Sequence, residues 1–378
     1  MTFDRPVPAL LLVRELNLGG IERDVTKIAL HIDRSRFEPH VASYYSGGFR
    51  YEELRAAGIP YLHLPVRSFA SRGAVEAALA FRRYLREHRI RVVHGWDPTA
   101  SFAAPLARLF RVPVVLSSTL GSRDLLDDRT RQQVRFTDRL VDSVVVNCEA
   151  MRKHLIEDEG VPPGRIEICY NGVDTTQFYP AEAPRPAELA GASLVIGALC
   201  ALRPEKALHL LQEAFARVRS LDPRMKLAII GDGVELPSLR QNSVRLGIED
   251  ASVFIPATAD APRYLRALDI FVLCSVSEAF SNALLEAMAC GCCCVGSRTG
   301  GTPELTGDDE RGLLFESGNA ADLADRLESL IRNPERRRAL STQATQFARN
   351  DLSIETAARR IADIYDGHLR RKGQVRPA

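Results

Sequence analysis

The chain contains 378 residues, of which 46% are hydrophobic and 26% are charged, a balance that excludes extensive disorder. Its formal net charge of +2 gives no sign of nucleic-acid binding, and no apolar run reaches the ~18 residues that a membrane span requires. A chain of this length is expected to form two domains, each large enough to bury its own core.

Short apolar runs alternate with amphipathic stretches along the chain, a pattern typical of α/β domains built on parallel sheets. The first run, 9–13, is short and is followed directly by charged residues, so it predicts a buried strand and not a signal peptide. In segment 21–32 the apolar residues recur at helical spacing, which predicts a helix with one buried face. The strands predicted for this half are 9–14, 40–44, 92–94, 112–117, 143–147 and 166–170.

Segment 180–191 is rich in proline and alanine and follows neither the helical nor the strand period, so we interpret it as an interdomain linker. The predicted domains are therefore 1–182 and 183–351, and a final helix is predicted over about 354–369. The second domain is again an α/β series, and doubly wound sheets of this kind bind ligands at the carboxyl ends of their strands. Its predicted strands are 194–199, 226–230, 252–255, 270–274 and 292–297.

Eight cysteines in a chain without an export signal predict reduced thiols and a cytoplasmic location. Four of them lie close together between Cys290 and Cys294. Consecutive strand residues point to opposite faces, and the sequence offers no second Cys or His cluster, so we expect core residues and no metal ion. Basic clusters at 336–338 and 370–372 are interpreted as solvated surface, with peripheral contact to the inner face of a membrane as the alternative.

The strongest chemical signal lies in segment 278–286, which follows a predicted strand. Ser281 can cap a helix that is apolar apart from Glu286. A carboxylate in such surroundings is costly unless it is satisfied, and it could accept hydrogen bonds from both hydroxyls of a ribose. The backbone N–H groups of 281–283, at the positive end of the helix, would suit a phosphate. The alternative is that Glu286 pairs with an arginine or faces solvent.

Two basic residues follow the predicted strand 194–199. Arg203 and Lys206 flank Pro204, a predicted helix start, where positive charges oppose the helix dipole. A pyrophosphate would remove this conflict, because Arg can bind it in a bidentate way and Lys as a point charge. The alternative is a solvent-facing pair balanced by Glu205.

Three glycine pairs also follow predicted strands, namely Gly19-Gly20, Gly231-Asp232-Gly233 and Gly300-Gly301. Each lets the backbone approach a phosphate or sugar without a Cβ in the way. None forms the G-x-G-x-x-G dinucleotide fingerprint, which disfavours a dehydrogenase. His94 ends another predicted strand and is a candidate functional residue, although polar residues at strand ends are more often structural.

Taken together, Glu278 and Glu286 with seven residues between them, followed by Gly291 and Gly300-Gly301, resemble the donor site of GT-B glycosyltransferases of family 4. The resemblance covers nearly the whole chain, since Gly19-Gly20 resembles the first glycine loop of that family. It implies two facing Rossmann-like domains with an interdomain cleft, an acceptor on the N-terminal side and a nucleotide-sugar on the C-terminal side. The last helix, 352–372, would pack back on the N-terminal domain.

The resemblance also assigns roles to residues. Glu286 would bind ribose, Arg203 and Lys206 would neutralise the diphosphate, and Glu278 would contact the donor sugar. It implies transfer with retention of configuration and without a metal or cofactor, to a saccharide or lipid-linked acceptor of cell-surface polysaccharide, lipopolysaccharide or glycolipid synthesis. The further donor contacts would come from Phe280, Ser281, Asn282, Ala283, Gly231, Asp232, Gly19 and Gly20.

Three positions depart from the family pattern. Ala201 stands where an arginine often precedes the lysine, so Arg203 has to substitute for it. No histidine follows strand 112–117, which leaves Arg123 and His94 as candidates on the acceptor side. Pro256 stands where a glycine often precedes the base-binding loop. A sugar-nucleotide epimerase of the same fold and an inactive nucleotide-sugar-binding subunit therefore remain alternatives.

Overall fold

The computed structural model describes residues 5–17, 19–66, 72–96, 98–121, 123 and 126–374. The chain forms two compact units, of which unit 1 comprises 1–172 and 354–378 and unit 2 comprises 173–353. Within the described residues, no helix is both long enough and apolar enough to cross a membrane.

Each unit is a parallel sheet flanked by helices, which confirms the predicted α/β class. The strands are β1 (Val7–Val13), β2 (Phe37–Ser43), β3 (Tyr61–His63), β4 (Val92–Trp96), β5 (Val114–Thr119), β6 (Ser143–Val146), β7 (Ile166–Ile168), β8 (Val195–Leu199), β9 (Lys226–Ile230), β10 (Ser252–Ile255), β11 (Ile270–Leu273), β12 (Cys293–Ser297) and β13 (Leu313–Phe315). The helices are α1 (Gly20–His31), α2 (Phe49–Ala56), α3 (Arg72–Glu87), α4 (Ala100–Leu109), α5 (Asp128–Leu140), α6 (Glu149–Glu157), α7 (Leu208–Val218), α8 (Leu236–Arg245), α9 (Ala261–Ala267), α10 (Asn282–Ala289), α11 (Thr302–Thr306), α12 (Ala320–Arg332), α13 (Pro334–Asn350) and α14 (Ile354–Arg371).

The sheet of unit 1 has the strand order β3-β2-β1-β4-β5-β6-β7. Strand β1 is central, with Leu10 opposite His40 on one side and opposite Val93 on the other. It is apolar and almost wholly buried, as expected for a parallel strand that is covered on both faces. Because the strand order reverses between β1 and β4, their carboxyl ends form the switch point of this sheet.

Helix α14 belongs to unit 1, although it follows unit 2 in the sequence. The ring of Tyr365 packs edge-on against Phe37 with centroids 5.4 Å apart, and its hydroxyl hydrogen-bonds His94 Nδ1 at 2.8 Å. Asp366 forms an ion pair with Arg36. Apolar packing and polar contacts together therefore fix this helix on the sheet.

The sheet of unit 2 has the strand order β10-β9-β8-β11-β12-β13, with its switch point between β8 and β11. Cys293 and Cys294 lie in β12 and are buried, which confirms their prediction as core residues. Burial raises the pKa of the Cys293 thiol to about 12, so this group is protonated at neutral pH.

The boundary between the two compact units lies before the predicted domain boundary. The chain passes from unit 1 to unit 2 at 172/173, and not at 182/183 as predicted. Segment 180–191 belongs to unit 2 and is no linker, because Leu189 is fully buried there and Arg185 forms a 2.6 Å ion pair with Asp269. The proline-rich composition here belongs to a segment that packs without an α-helix or strand and forms only a short 3-10 helix, Ala187–Leu189.

Every predicted strand is present, with bounds that differ by a few residues at most. Strands β3 and β13 were not predicted. Each has three residues and lies at the edge of its sheet, so neither is long enough to display a period.

Candidate functional site

The switch point of unit 2 brings together Lys206 and Glu278. Lys206 ends a short 3-10 turn, Pro204–Lys206, just beyond β8, and Glu278 follows the neighbouring strand β11. Lys206 Nζ lies 2.7 Å from Glu278 Oε2, and the two side chains are only 18% and 15% exposed. Parallel strands of a doubly wound sheet bind ligands at this edge, so a basic and an acidic group stand together where a ligand is expected.

Two buried serines support this pair. Ser275 Oγ donates to Glu278 Oε2 at 3.1 Å, and Ser297 Oγ donates to the backbone oxygen of Ser275 at 2.6 Å. A hydrogen bond of 2.9 Å from Val276 N to Glu205 O joins the loop after β11 to the turn that carries Lys206. The ends of β8, β11 and β12 thus form one polar network.

Helix α10 starts beside this network, as the sequence predicts. Ser281 is its N-cap, and the side chain of Ser281 accepts a 3.3 Å hydrogen bond from Leu284 N. Glu286 lies inside the helix and is 1% exposed, among buried apolar neighbours. Phe280 is also buried, while Asn282 and Ala283 are half-buried at the start of the helix.

The glycines after β12 serve the packing of the site. Gly300 has a φ of +51°, and a Cβ there would lie 1.8 Å from the backbone oxygen of Glu278. Gly301 N donates to Ala279 O at 2.6 Å. A glycine at 300 therefore lets this loop lie directly on the backbone of Glu278.

The glycines after β9 let their loop lie directly on the backbone of the loop that carries Arg203. A Cβ on Gly231 would lie 1.9 Å from the backbone oxygen of Cys200. The backbone oxygen of Asp232 accepts from Leu202 N at 2.9 Å, and its carboxylate accepts from Ala257 N at 2.9 Å. Asp232 therefore ties together the loops that follow β8, β9 and β10.

Arg203 and Lys206 differ in their surroundings. The Arg203 side chain is 62% exposed and lies 3.6 Å from Glu205, which matches the solvent-facing alternative. Lys206 does not match it, because it is largely buried against Glu278. Although the two basic residues are close in sequence, only Lys206 is held in place, by its ion pair with Glu278. The exposed side chain of Arg203 can reorient in solvent.

In unit 1, Gly19 and Gly20 are exposed at the start of α1, beyond the end of β1. The Glu22 carboxylate folds back over Gly19, so that a Cβ there would lie 2.0 Å from Oε2. Burial raises the pKa of Glu22, and the nearby Glu15 carboxylate raises it further. The predicted contact of Gly19 and Gly20 with a ligand stays a prediction.

His94 is placed in the interior of unit 1, and its predicted acceptor-side role stays a prediction. It is fully buried in β4 and stacks on Trp96, with ring centroids 4.0 Å apart. Its Nδ1 is 2.8 Å from the Tyr365 hydroxyl, and its Nε2 is 2.8 Å from Ser118 Oγ. Burial lowers the pKa of His94 to about 3, so the ring is neutral at neutral pH. Its two ring nitrogens therefore link α14 to β5 inside unit 1.

Arg123 is also placed in the interior, and its predicted acceptor-side role likewise stays a prediction. It is 1% exposed, and its guanidinium contacts Asp138 at 2.6 Å and Thr119 Oγ1 at 2.9 Å. Burial raises the pKa of Asp138, although the Arg123 contact opposes this shift. The arginine thus joins α5 to the end of β5 inside unit 1, and its positive charge is paired with the Asp138 carboxylate.

Three of the six residues in the late basic clusters make side-chain contacts within their own units. Lys372 Nζ lies 2.9 Å from Asp142, and Arg371 lies 3.8 Å from Glu167. In α13, Arg337 donates to the backbone oxygen of Leu330 at 2.8 Å. These contacts agree with the interpretation as solvated surface.

Sequence reasoning missed Ser275 and Ser297. Both are fully buried polar residues at or just beyond the ends of neighbouring strands. Their position gave a signal, because the carboxyl ends of parallel strands meet at one edge. Serine is too common in loops for that signal to stand out among other turn residues.

Two family models match the chain one after the other. The model described as Glycosyltransferase Family 4 matches residues 18–177. The model described as Glycosyl transferases group 1 matches residues 182–347, which contain Lys206, Glu278 and Glu286.

Named relatives and solved structures agree with these models. The D-inositol 3-phosphate glycosyltransferase of Saccharomonospora viridis is 32% identical over 72% of this chain and 66% of that protein, so the chain spans just under two thirds of its length. The N-acetyl-alpha-D-glucosaminyl L-malate synthase of Bacillus anthracis is 29% identical over 74% of each protein. The crystal structure of Anabaena HepE in complex with UDP superposes with a TM-score of 0.83 at 21% identity, covering 96% of this chain and 100% of that chain.

Proposed function

The chain belongs to the family 4 glycosyltransferases of the GT-B fold, and from this premise we propose that it transfers a sugar from a nucleotide-diphosphate sugar to a saccharide or lipid-linked acceptor. The acceptors named for its relatives, an inositol phosphate and malate, carry hydroxyl groups, and HepE was crystallised with UDP. These names support a nucleotide donor and a hydroxyl acceptor.

The observation that carries the proposal is the pair of Lys206 and Glu278 at the switch point, next to the start of α10. The Lys206 ammonium would neutralise the diphosphate, together with the backbone N–H groups of α10. Arg203 is exposed and can turn toward the same phosphates. Glu286, at 1% exposure, would accept hydrogen bonds from ribose hydroxyls, and such bonds favour a desolvated carboxylate.

We propose transfer with retention of configuration and without a metal. The acceptor oxygen would bond to the anomeric carbon on the face from which the diphosphate leaves. The bond between that carbon and the phosphate oxygen breaks, and the leaving phosphate takes the acceptor proton. The positive charge that this step needs is supplied by Lys206 and Arg203. We further propose that the protein works in the cytoplasm, at the inner face of the membrane.

The first experiment is a thermal-shift screen of nucleoside diphosphates and their sugars, because a ligand that binds only the folded state raises its apparent stability. With the donor that binds, we expect Glu286→Gln to weaken binding about tenfold. Lys206→Ala should lower turnover about 100-fold. The exposed residues Lys153 and Glu328 provide the controls Lys153→Ala and Glu328→Gln, which should behave like the parent.

The products separate this proposal from its alternatives. A retaining transferase yields a glycoside of unchanged anomeric configuration, which NMR of the product identifies. An epimerase releases free nucleotide and an epimerised sugar without any acceptor. If Lys206→Ala and Glu286→Gln both transfer sugar at the parent rate, this donor site is wrong.

A further inference from the structure

Helix α3 carries a stripe of apolar and basic side chains on its outer face. Val75 and Leu79 are 62% and 59% exposed, and Arg82 and Arg86 are exposed as well. At about 100° per residue these four positions fall within one narrow face of the helix. The opposite face is buried in unit 1 through residues such as Phe81.

The stripe continues onto the end of α4. The Arg82 guanidinium lies 5.8 Å from the centroid of the Phe110 ring, and the preceding residue, Leu109, is 70% exposed. Arg111 is exposed beside them. We define the α3 stripe as Val75, Leu79, Arg82, Arg86 and Leu109.

The charge within the stripe is positive. The acidic residues of α3, Glu76 and Glu87, lie to one side of it by helical position, and Glu87 is paired with Arg83 at 2.7 Å. Arg82 and Arg86 therefore face outward with the aliphatic side chains and no carboxylate between them. Exposed aliphatic groups beside guanidinium groups are the combination that lies in the headgroup region of a bilayer.

We propose that the α3 stripe docks unit 1 on a bilayer that contains anionic lipids. Val75, Leu79 and Leu109 would enter the boundary between headgroups and acyl chains, and Arg82 and Arg86 would contact lipid phosphates. This names the surface for the membrane location in the proposed function. The proposal depends on the proposed function only for the biological purpose of membrane docking. Lipid binding itself needs neither the donor nor the acceptor.

The basic cluster of α13 provides a matched comparison. Arg336 and Arg338 are exposed like the arginines of the stripe. Of the large hydrophobic side chains exposed in the described residues, none lies on α13. Charge without apolar groups should bind a bilayer more weakly, so the α13 arginines serve as the control.

The test is sedimentation of the full chain with vesicles, without any nucleotide-sugar. We expect binding to phosphatidylcholine vesicles that contain phosphatidylglycerol, little binding to pure phosphatidylcholine, and weaker binding at high salt. The double variant Arg82→Gln and Arg86→Gln should lower the partition coefficient about 25-fold, at about fivefold per arginine. Val75→Glu with Leu79→Glu should lower it at least about tenfold. The control with Arg336→Gln and Arg338→Gln should bind like the parent.

The stripe residues are exposed, so circular dichroism and thermal melting should show that every variant folds. Absence of binding to anionic vesicles would overturn the proposal. Equal losses in the stripe variants and the α13 control would overturn it too, since any basic surface would then suffice. So would a change of mass in light scattering that is confined to the stripe variants, because the stripe would then join two copies of the chain. If no nucleoside diphosphate or nucleotide-sugar stabilises the protein in the thermal-shift screen, the proposed donor is wrong. That result would leave the vesicle-binding results unchanged.

Discussion

Glu278 Oε2 is held by two donors that follow different strands, and this arrangement sets the orientation of the carboxylate. Lys206 Nζ approaches it to 2.7 Å and Ser275 Oγ to 3.1 Å. Lys206 is also the group proposed to neutralise the diphosphate, so donor binding would draw the ammonium toward phosphate. Ser275, which is fully buried, would then become the main partner that keeps Glu278 in place.

We therefore expect Ser275→Ala to lower donor turnover about tenfold, the effect of removing a hydrogen bond to a charged group. The unfolding free energy should fall by about 1–2 kcal/mol, because one hydrogen bond to a charged group is lost while Glu278 keeps Lys206 as a partner. Steady-state kinetics with the donor found in the thermal-shift screen measures the turnover, and urea unfolding measures the unfolding free energy. Ser238→Ala is the control, since its hydroxyl contacts Glu235 at the surface. Turnover at the parent rate in Ser275→Ala would show that this hydroxyl does not position Glu278.

Gly300 is the glycine whose replacement should damage the site most directly. Its φ is +51°, and an added Cβ would lie 1.8 Å from the Glu278 backbone oxygen. Gly318→Ala is the matched control, because Gly318 has a φ of +81° with nothing within 4 Å of the added Cβ. We expect Gly318→Ala to cost about 1 kcal/mol for the left-handed conformation alone. Gly300→Ala should cost about 3 kcal/mol or more, since the clash adds to this. Urea unfolding measures both losses, and equal losses would contradict the clash.

At the scale of elements, α14 depends on polar contacts as well as on apolar packing. The Tyr365 hydroxyl contacts the fully buried His94, which in turn contacts Ser118. Removing that hydroxyl leaves a buried nitrogen of His94 without this partner, and such a group is costly.

We accordingly expect Tyr365→Phe to lower the unfolding free energy of unit 1 by about 1–3 kcal/mol. Hydrogen exchange of α14 amides should quicken with it, while exchange in unit 2 should stay unchanged. Tyr179→Phe is the control, because Tyr179 is 41% exposed. If protection in α14 is unaffected, the helix is held by its apolar face and the hydroxyl contributes little.

The elements also show how far the sequence leads. Strands such as β1 and β9 and helix α10 with its Ser281 cap were predictable, because burial and capping impose a local pattern on the residues. The Lys206–Glu278 pair was not, since its members lie 72 positions apart in the sequence and only the strand order brings them together. The burial of His94 was not predictable, because a strand end does not reveal which face of the sheet a helix from the far end of the chain will cover.

At the scale of the whole molecule, each unit has its own apolar core. The buried histidines are divided unequally between them. His40, His94 and His368 all belong to unit 1, whereas His209 of unit 2 is exposed. Burial lowers the pKa of His94 to about 3 and that of His40 to about 4. Burial, with the nearby Arg371, lowers the pKa of His368 to about 4.

Unit 1 should therefore unfold first as the pH falls. The pKa of each histidine is lower in the folded state than its ordinary value of 6.5, so the unfolded chain binds more protons below that pH, and stability is lost from pH 6.5 downward. At pH 5 the loss is about 2 kcal/mol for each histidine, or about 6 kcal/mol together, comparable with the whole stability of many domains.

The single tryptophan, Trp96, stacks on His94 in unit 1, so its fluorescence reports that unit alone. When the pH is lowered, we expect the Trp96 fluorescence to change first, as unit 1 unfolds. The circular dichroism signal that comes from the helices of unit 2 should be lost only at a lower pH. His209→Gln should leave both midpoints unchanged, and coincident transitions in the parent chain would contradict the separate acid response of unit 1.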